Sequence, residues 1–430
     1  MSRRSFQTGL YQEHCEEIAG LYELRRARMD DWETTRAGLA AIEARVEAHI
    51  DALVLGEDEA LAVVDEQSVS ADLACLYTRL TLACRAPRFE RISPSLDALA
   101  DLCGGPDVTP EDAALACRAA ADALCHHAPL AWSEPLIDAL AAASPLVAPV
   151  LAVFAGHRRV DRGAAAVAAM TAQNVDLVPV LRAVARLPGA DVGLLHANLD
   201  HEDPRVAREA AFGALRRDPR PAIAALTRRW PAPWTAIPLA LCAGPGLSEQ
   251  LRAVASREPT SERVLALGLL GDPAAIDVLL AHLRVDGVAA AAALALFLIS
   301  GAPLRGPVVA TDAADWLSWS GHDISVDPKQ WTRWLSTRRA GWTPGARHRF
   351  GAPASPIGDL EALERVELPR GLRRLLGEEL VIRHGVDPGL EEDMLLATQA
   401  QRLAAARPRA QAQRSQPGAW TRHGRTVTGP

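Results

Sequence analysis

Prolines punctuate the middle of this chain at a near-constant interval, and that interval restricts the fold more than any other feature. Pro188, Pro219, Pro245, Pro273 and Pro303 are separated by 31, 26, 28 and 30 residues, and the stretches between them are rich in Ala and Leu. Proline lacks a backbone N–H and is tolerated only in the first turn of a helix, so each one marks a helix boundary. A period of about 30 residues fits one helix–turn–helix unit. The chain is therefore expected to be all-α, a solenoid of antiparallel helix pairs. Each pair buries its apolar face on its neighbours, so 430 residues need no single large core.

The pattern is sharpest over residues 188–303. Asp203 is suited to an N-cap, with Pro204 at the first helical position. Gly271-Asp272-Pro273 ends one helix and starts the next, and Ile276, Leu279, Leu280 and Leu283 form a stripe at helical spacing. Val264, Leu265, Leu267, Leu269 and Leu270 are apolar on nearly every side, as a helix sandwiched between repeats requires. Residues 67–187 read as degenerate helical repeats. Residues 1–66 read as an acidic helical hairpin, with stripes Tyr11, Cys15, Ile18, Tyr22 and Leu39, Ile42, Val46, His49, Leu53 on either side of Asp30-Asp31. That segment holds 15 acidic and 7 basic residues.

Residues 304–400 change character and are expected to form a Trp-rich C-terminal helical cap. Five of the ten tryptophans fall between Trp316 and Trp342. Trp and Arg dominate interface hot spots, which makes Trp316, Trp319, Trp331, Trp334, Arg338, Arg339 and Trp342 the candidate partner surface. The reading favoured over it is an apolar plug closing the last repeat, which a solenoid needs, with part of each ring able to do both. Residues 401–430 carry six arginines and no acidic residue, and are expected to be a basic disordered tail.

No motif supplies catalysis, a cofactor or a metal. The one lysine, Lys329, follows no glycine loop, which excludes a Walker nucleotide site. Cys117 and Cys125, with His126 and His127, are spaced too widely for ordinary structural zinc; histidines at a helix C-terminus complement the dipole instead. His49 lies on an apolar stripe and reads as a hydrogen-bonded core residue. His201-Glu202-Asp203 reads as a capping segment. A net charge of −7 disfavours a general nucleic-acid binder, although seven arginines fall within residues 201–230. No apolar run reaches about 18 residues, so no membrane span is expected. Ser2-Arg3-Arg4-Ser5-Phe6 looks like a twin-arginine signal but is followed by Gln12, Glu13, Glu16 and Glu17 and not by an apolar stretch. Seven scattered cysteines without a C-x-x-C pair fit a reducing cytoplasm.

The Gly-Asp-Pro punctuated pairs of residues 190–303 resemble short HEAT repeats of the kind found in phycobilisome lyases. Two further segments resemble a bacterial HEAT-repeat family of undefined activity. One is the acidic helix Ile42–Leu53. The other runs from Asp327-Pro328 through Trp331, Trp334, Arg338 and Arg339 to Pro344-Gly345-Ala346-Arg347 and Gly351. That family is often encoded beside type VI secretion genes. The resemblance implies a HEAT-like α-solenoid acting as a non-enzymatic scaffold or adaptor in a Gram-negative cytoplasm, its partner a secretion-system component or effector. It implies no cofactor and no small-molecule substrate. The alternatives are a phycobilisome-type HEAT-repeat lyase and a HEAT-like nucleic-acid repair protein.

Overall fold

The computed structural model describes residues 3–31, 34–67, 73–170, 176–230, 232–310, 321–343, 345–365 and 368–428. These residues are mostly helical, with three short two-stranded antiparallel ribbons. No helix among them is long and apolar enough to cross a membrane. The chain divides into two compact units. The first comprises Met1–Arg28, Gly38–Gly213 and Asp393–Leu396; the second comprises Met29–Ala37, Ala214–Glu392 and Ala397–Pro430.

Helices α1 (Arg3–Asp30), α2 (Arg36–Leu55) and α3 (Glu57–Gln67) open the chain. Residues 1–66, read as a hairpin of two helices, thus hold three. The extra break falls at Gly56, and Glu57, Asp58 and Glu59 then place three carboxylates in the first turn of α3, where the helix dipole favours them. Next come α4 (Leu73–Arg85), α5 (Ile92–Cys103), α6 (Pro110–His127), α7 (Ser133–Ala142), α8 (Ala148–Arg158), α9 (Gly163–Met170), α10 (Leu177–Arg186) and α11 (Gly193–Ala197). Alternate helices form a succession, α4 on α6, α6 on α8 and α8 on α10, while α5 packs beside α6, and α7 and α9 beside α8. A buried polar core ties this unit to α1. The Tyr22 hydroxyl donates to Asp122 at 2.9 Å, its ring stacks on Tyr77 at 4.0 Å, and Arg25 donates to Glu43 at 3.0 Å.

After α12 (Pro204–Arg217), the second unit continues through α13 (Pro219–Arg228), α14 (Ala236–Cys242), α15 (Pro245–Arg257), α16 (Ser261–Leu270), α17 (Ile276–His282) and α18 (Ala289–Ser300). Here α14 packs on α16 and α16 on α18, with α13, α15 and α17 as their companions. Pro219 and Pro245 begin α13 and α15, and Pro273 begins the 3-10 turn that leads into α17. These three prolines start the second helical segment of a pair, whereas Pro188 lies in the turn after α10 and Pro303 in the segment between α18 and the strand that begins at Arg305. Every residue of α16 is buried, as is α18 from Ala290 to Ser300. Each large apolar side chain so buried contributes about 1.5–3 kcal/mol. Gly268 allows the two helices to touch: a Cβ there would lie 2.5 Å from the Ala295 Cα.

The region after residue 304 corrects two expectations. The supposed helical cap contains two β-ribbons, β1 (Arg305–Ala310) with β2 (Gly321–Ile324) and β3 (His348–Arg349) with β4 (Ala352–Pro353), as well as helices α19 (Pro328–Ser336), α20 (Pro356–Glu364) and α21 (Arg370–His384). The supposed disordered tail forms α22 (Leu396–Ala412) and a ribbon of β5 (Thr421–Arg422) with β6 (Arg425–Thr426). Its few large apolar groups decide this, because Leu403 and Trp420 are both buried. The basic groups find carbonyls: Arg422 donates to the Cys242 carbonyl at 2.9 Å, and His423 lies 2.8 Å from that of Leu215.

Candidate interaction surface

The tryptophan segment is organised by α19. The Asp327 side chain accepts from the Lys329 N–H at 2.8 Å and Pro328 occupies the first turn, a combination that fixes where the helix starts. Trp331 and Leu335, four apart on one face, turn inward. Trp331 has no exposed surface, and its indole N–H donates to the Ser325 carbonyl at 2.6 Å. This corrects its reading as a surface residue: Trp331 is a buried core residue.

The neighbouring positions are less buried. Trp334 is half-buried, and the Arg338 guanidinium lies 4.4 Å from its ring centroid, a cation–π pair. Lys329, Arg333 and Arg338 are exposed, and among the described residues none of them forms an ion pair. Arg339 is already committed, donating two hydrogen bonds to the Asp277 carboxylate on α17 at 2.5 and 2.8 Å, which holds that carboxyl below its ordinary range. Trp342 is half-buried and packs at 5.6 Å from the His348 ring. Trp316 and Trp319 lie outside the described residues. The candidate patch thus reduces to Trp334 and Arg338, with the exposed Lys329 and Arg333 elsewhere on the same helix.

Arg347, which ends the Pro-Gly-x-Arg segment, is a buried structural group. It donates to the Leu270 carbonyl at 2.8 Å and contacts the Glu379 carboxylate directly. Arg349 donates to the carbonyls of Gly268 and Leu269 at 2.9 and 2.7 Å, and to Glu379 at 2.7 Å. Arg383 donates to the carbonyls of Ala240 and Ala243 at 2.6 and 3.1 Å. Those carbonyls belong to the last turns of α14 and α16 and the residue after α14, which lack intrahelical partners and carry partial negative charge. Burial would raise the Glu379 carboxyl, yet Arg349, Arg347 and Arg383 hold it down at about 2. Sequence reasoning missed this cluster, since nothing marks a buried arginine in the pattern of residues.

Other singled-out residues take structural places. His49, expected in the core, is instead half-buried: its Nδ1 lies 2.8 Å from His14 Nδ1, at an open groove of about 710 Å³ that also meets Glu13, Glu17 and Arg45. His127 Nε2 meets the Tyr77 hydroxyl at 3.0 Å. Asp203 accepts from the Arg205 N–H at 2.8 Å, which caps α12. Of the arginines in residues 201–230, Arg216 is buried between Glu378 and Asp387 at 2.9 and 2.8 Å. Among the described residues, no group of three or more His, Cys, Asp or Glu side chains is arranged to hold a metal ion. Comparison with protein-family models, curated proteins and solved structures gives no match for this chain.

Proposed function

We propose that this chain is a non-enzymatic protein-binding scaffold built from HEAT-like helix pairs, and that the Trp334–Arg338 patch at the C-terminal end of α19 is where its partner docks. The observation that carries the reading is the pairing of a half-buried aromatic ring with an exposed guanidinium that, among the described residues, forms no ion pair. Trp and Arg contribute most per residue to protein interfaces, and the flanking Lys329 and Arg333 suit an acidic partner. The repeat reading is supported by the alternate-helix succession within each unit and by prolines at the start of companion helices.

The setting we propose is type VI secretion, where the protein acts as an adaptor for effector loading or assembly. This rests on the resemblance of residues 42–53 and 327–351. Co-purification of the tagged chain from its native host tests it. Recovery of a spike, effector or other secretion component is expected, and recovery of none of them would remove the setting.

A further inference from the structure

Two cysteines that the scaffold reading leaves unused lie against each other. Cys103 is the last residue of α5 and Cys117 lies two turns into α6. Their sulfurs are 3.9 Å apart. Cys103 is half-buried, and its thiol also faces the Ala113 carbonyl at 3.8 Å. Cys117 is buried, with its thiol 3.5 Å from the Leu146 carbonyl.

The geometry points to Cys103 and Cys117 as a peroxide-sensitive dithiol that closes to a disulfide and staples α5 to α6. The sulfurs must move from 3.9 Å to a bond length of about 2.05 Å. The chain permits that movement, because Gly104 and Gly105 follow Cys103 directly and the helix end is where the backbone frays most readily. The roles of the two thiols follow from their surroundings. Cys103 is the more exposed sulfur and the one a peroxide reaches, whereas Cys117 is buried; the contact between the thiols holds Cys103 down, and that contact with burial raises Cys117. Burial pushes the thiols of Cys15 and Cys84 up to about 12 and that of Cys242 up to about 11, which leaves them unreactive.

The chemistry balances with hydrogen peroxide as oxidant. The Cys103 thiolate attacks one peroxide oxygen, the O–O bond breaks, and the leaving hydroxide takes up a proton as water. Cys103 becomes a sulfenic acid. The Cys117 sulfur then attacks the Cys103 sulfur, the S–O bond breaks, and hydroxide leaves with the Cys117 proton as a second water. Two thiols lose two electrons in all, and the peroxide gains them.

Hydrogen peroxide added to the reduced full-length protein is the test, read by intact mass and by peptide mapping. The expected result is a loss of two hydrogens, a Cys103–Cys117 linkage, and a thermal midpoint that rises and returns on adding dithiothreitol. In Cys117→Ser the sulfenic acid at Cys103 should persist and be trapped by dimedone. A wild-type protein that keeps all its thiols under peroxide, links another pair, or passes to sulfinic acid at Cys103 would overturn the proposal. The wild-type mapping stands even if a serine variant fails to fold.

Discussion

Arg347 and Glu379 meet with no solvent-exposed surface on either side chain, and Arg349 contacts the same carboxylate. A buried charge that loses its partner is destabilising by about 3–5 kcal/mol. Glu379→Gln is therefore expected to lower unfolding free energy by about that amount, read as a reduced denaturant midpoint at unchanged slope. A loss under about 1 kcal/mol would mean that the carbonyls of α14 and α16 alone hold the arginines.

Gly268 sets the spacing between α16 and α18. Alanine there is a better helix former, but its methyl would lie 2.5 Å from the Ala295 Cα. Overpacking costs about 1–3 kcal/mol and outweighs the propensity gain. Gly268→Ala is expected to lower the thermal midpoint, and an unchanged midpoint would show that the helices separate freely.

Trp420 shows why part of this fold was hidden in the sequence. The middle of the chain was legible because Pro219, Pro245 and Pro273 act locally, each starting a helical segment by its own covalent geometry. The last thirty residues follow a different rule. Their composition is that of a disordered tail, yet Trp420 is buried, its indole N–H donates to the Gly345 carbonyl at 2.8 Å, and its ring lies within 6 Å of Arg347 and Arg383, at 5.9 and 5.7 Å. A single long-range anchor decides the outcome, and average composition does not register it. The same holds for the patch on α19. Spacing placed Trp331 and Trp334 on one short helix, but only packing separates the buried ring from the half-buried one. Trp420→Ala is expected to destabilise the protein by about 3–5 kcal/mol and to make residues 413–428 cleavable by trypsin in the folded state.

Two buried groups should shape the pH dependence with opposite signs. Burial, with Arg85, Arg25 and Arg158 nearby, lowers His127 from 6.5 to about 3. The unfolded chain binds that proton more readily, so stability is full above about 6.5 and is lost as pH falls toward about 3. Burial and Asp393 raise Asp122 from 3.8 to about 6. The folded chain binds this proton more readily, so its contribution is full below 3.8 and is lost as pH rises through about 6. Asp122→Asn is expected to gain stability over wild type at pH 7 relative to pH 4, by on the order of 2 kcal/mol. His127→Gln should flatten the acid limb. Denaturant titrations across this range check both signs.

The most direct measurement is capture of the native partner by immobilised wild-type protein and by the Trp334→Ala/Arg338→Glu variant, side by side from the same host extract. Trp334 is half-buried near the end of α19 and Arg338 is exposed just beyond it, so the variant's thermal midpoint is measured alongside to establish that it is folded. Docking at this patch predicts that recovery of the proteins captured by wild type falls by roughly tenfold or more, and that wild-type recovery weakens as salt rises. Equal recovery by a folded variant would contradict it.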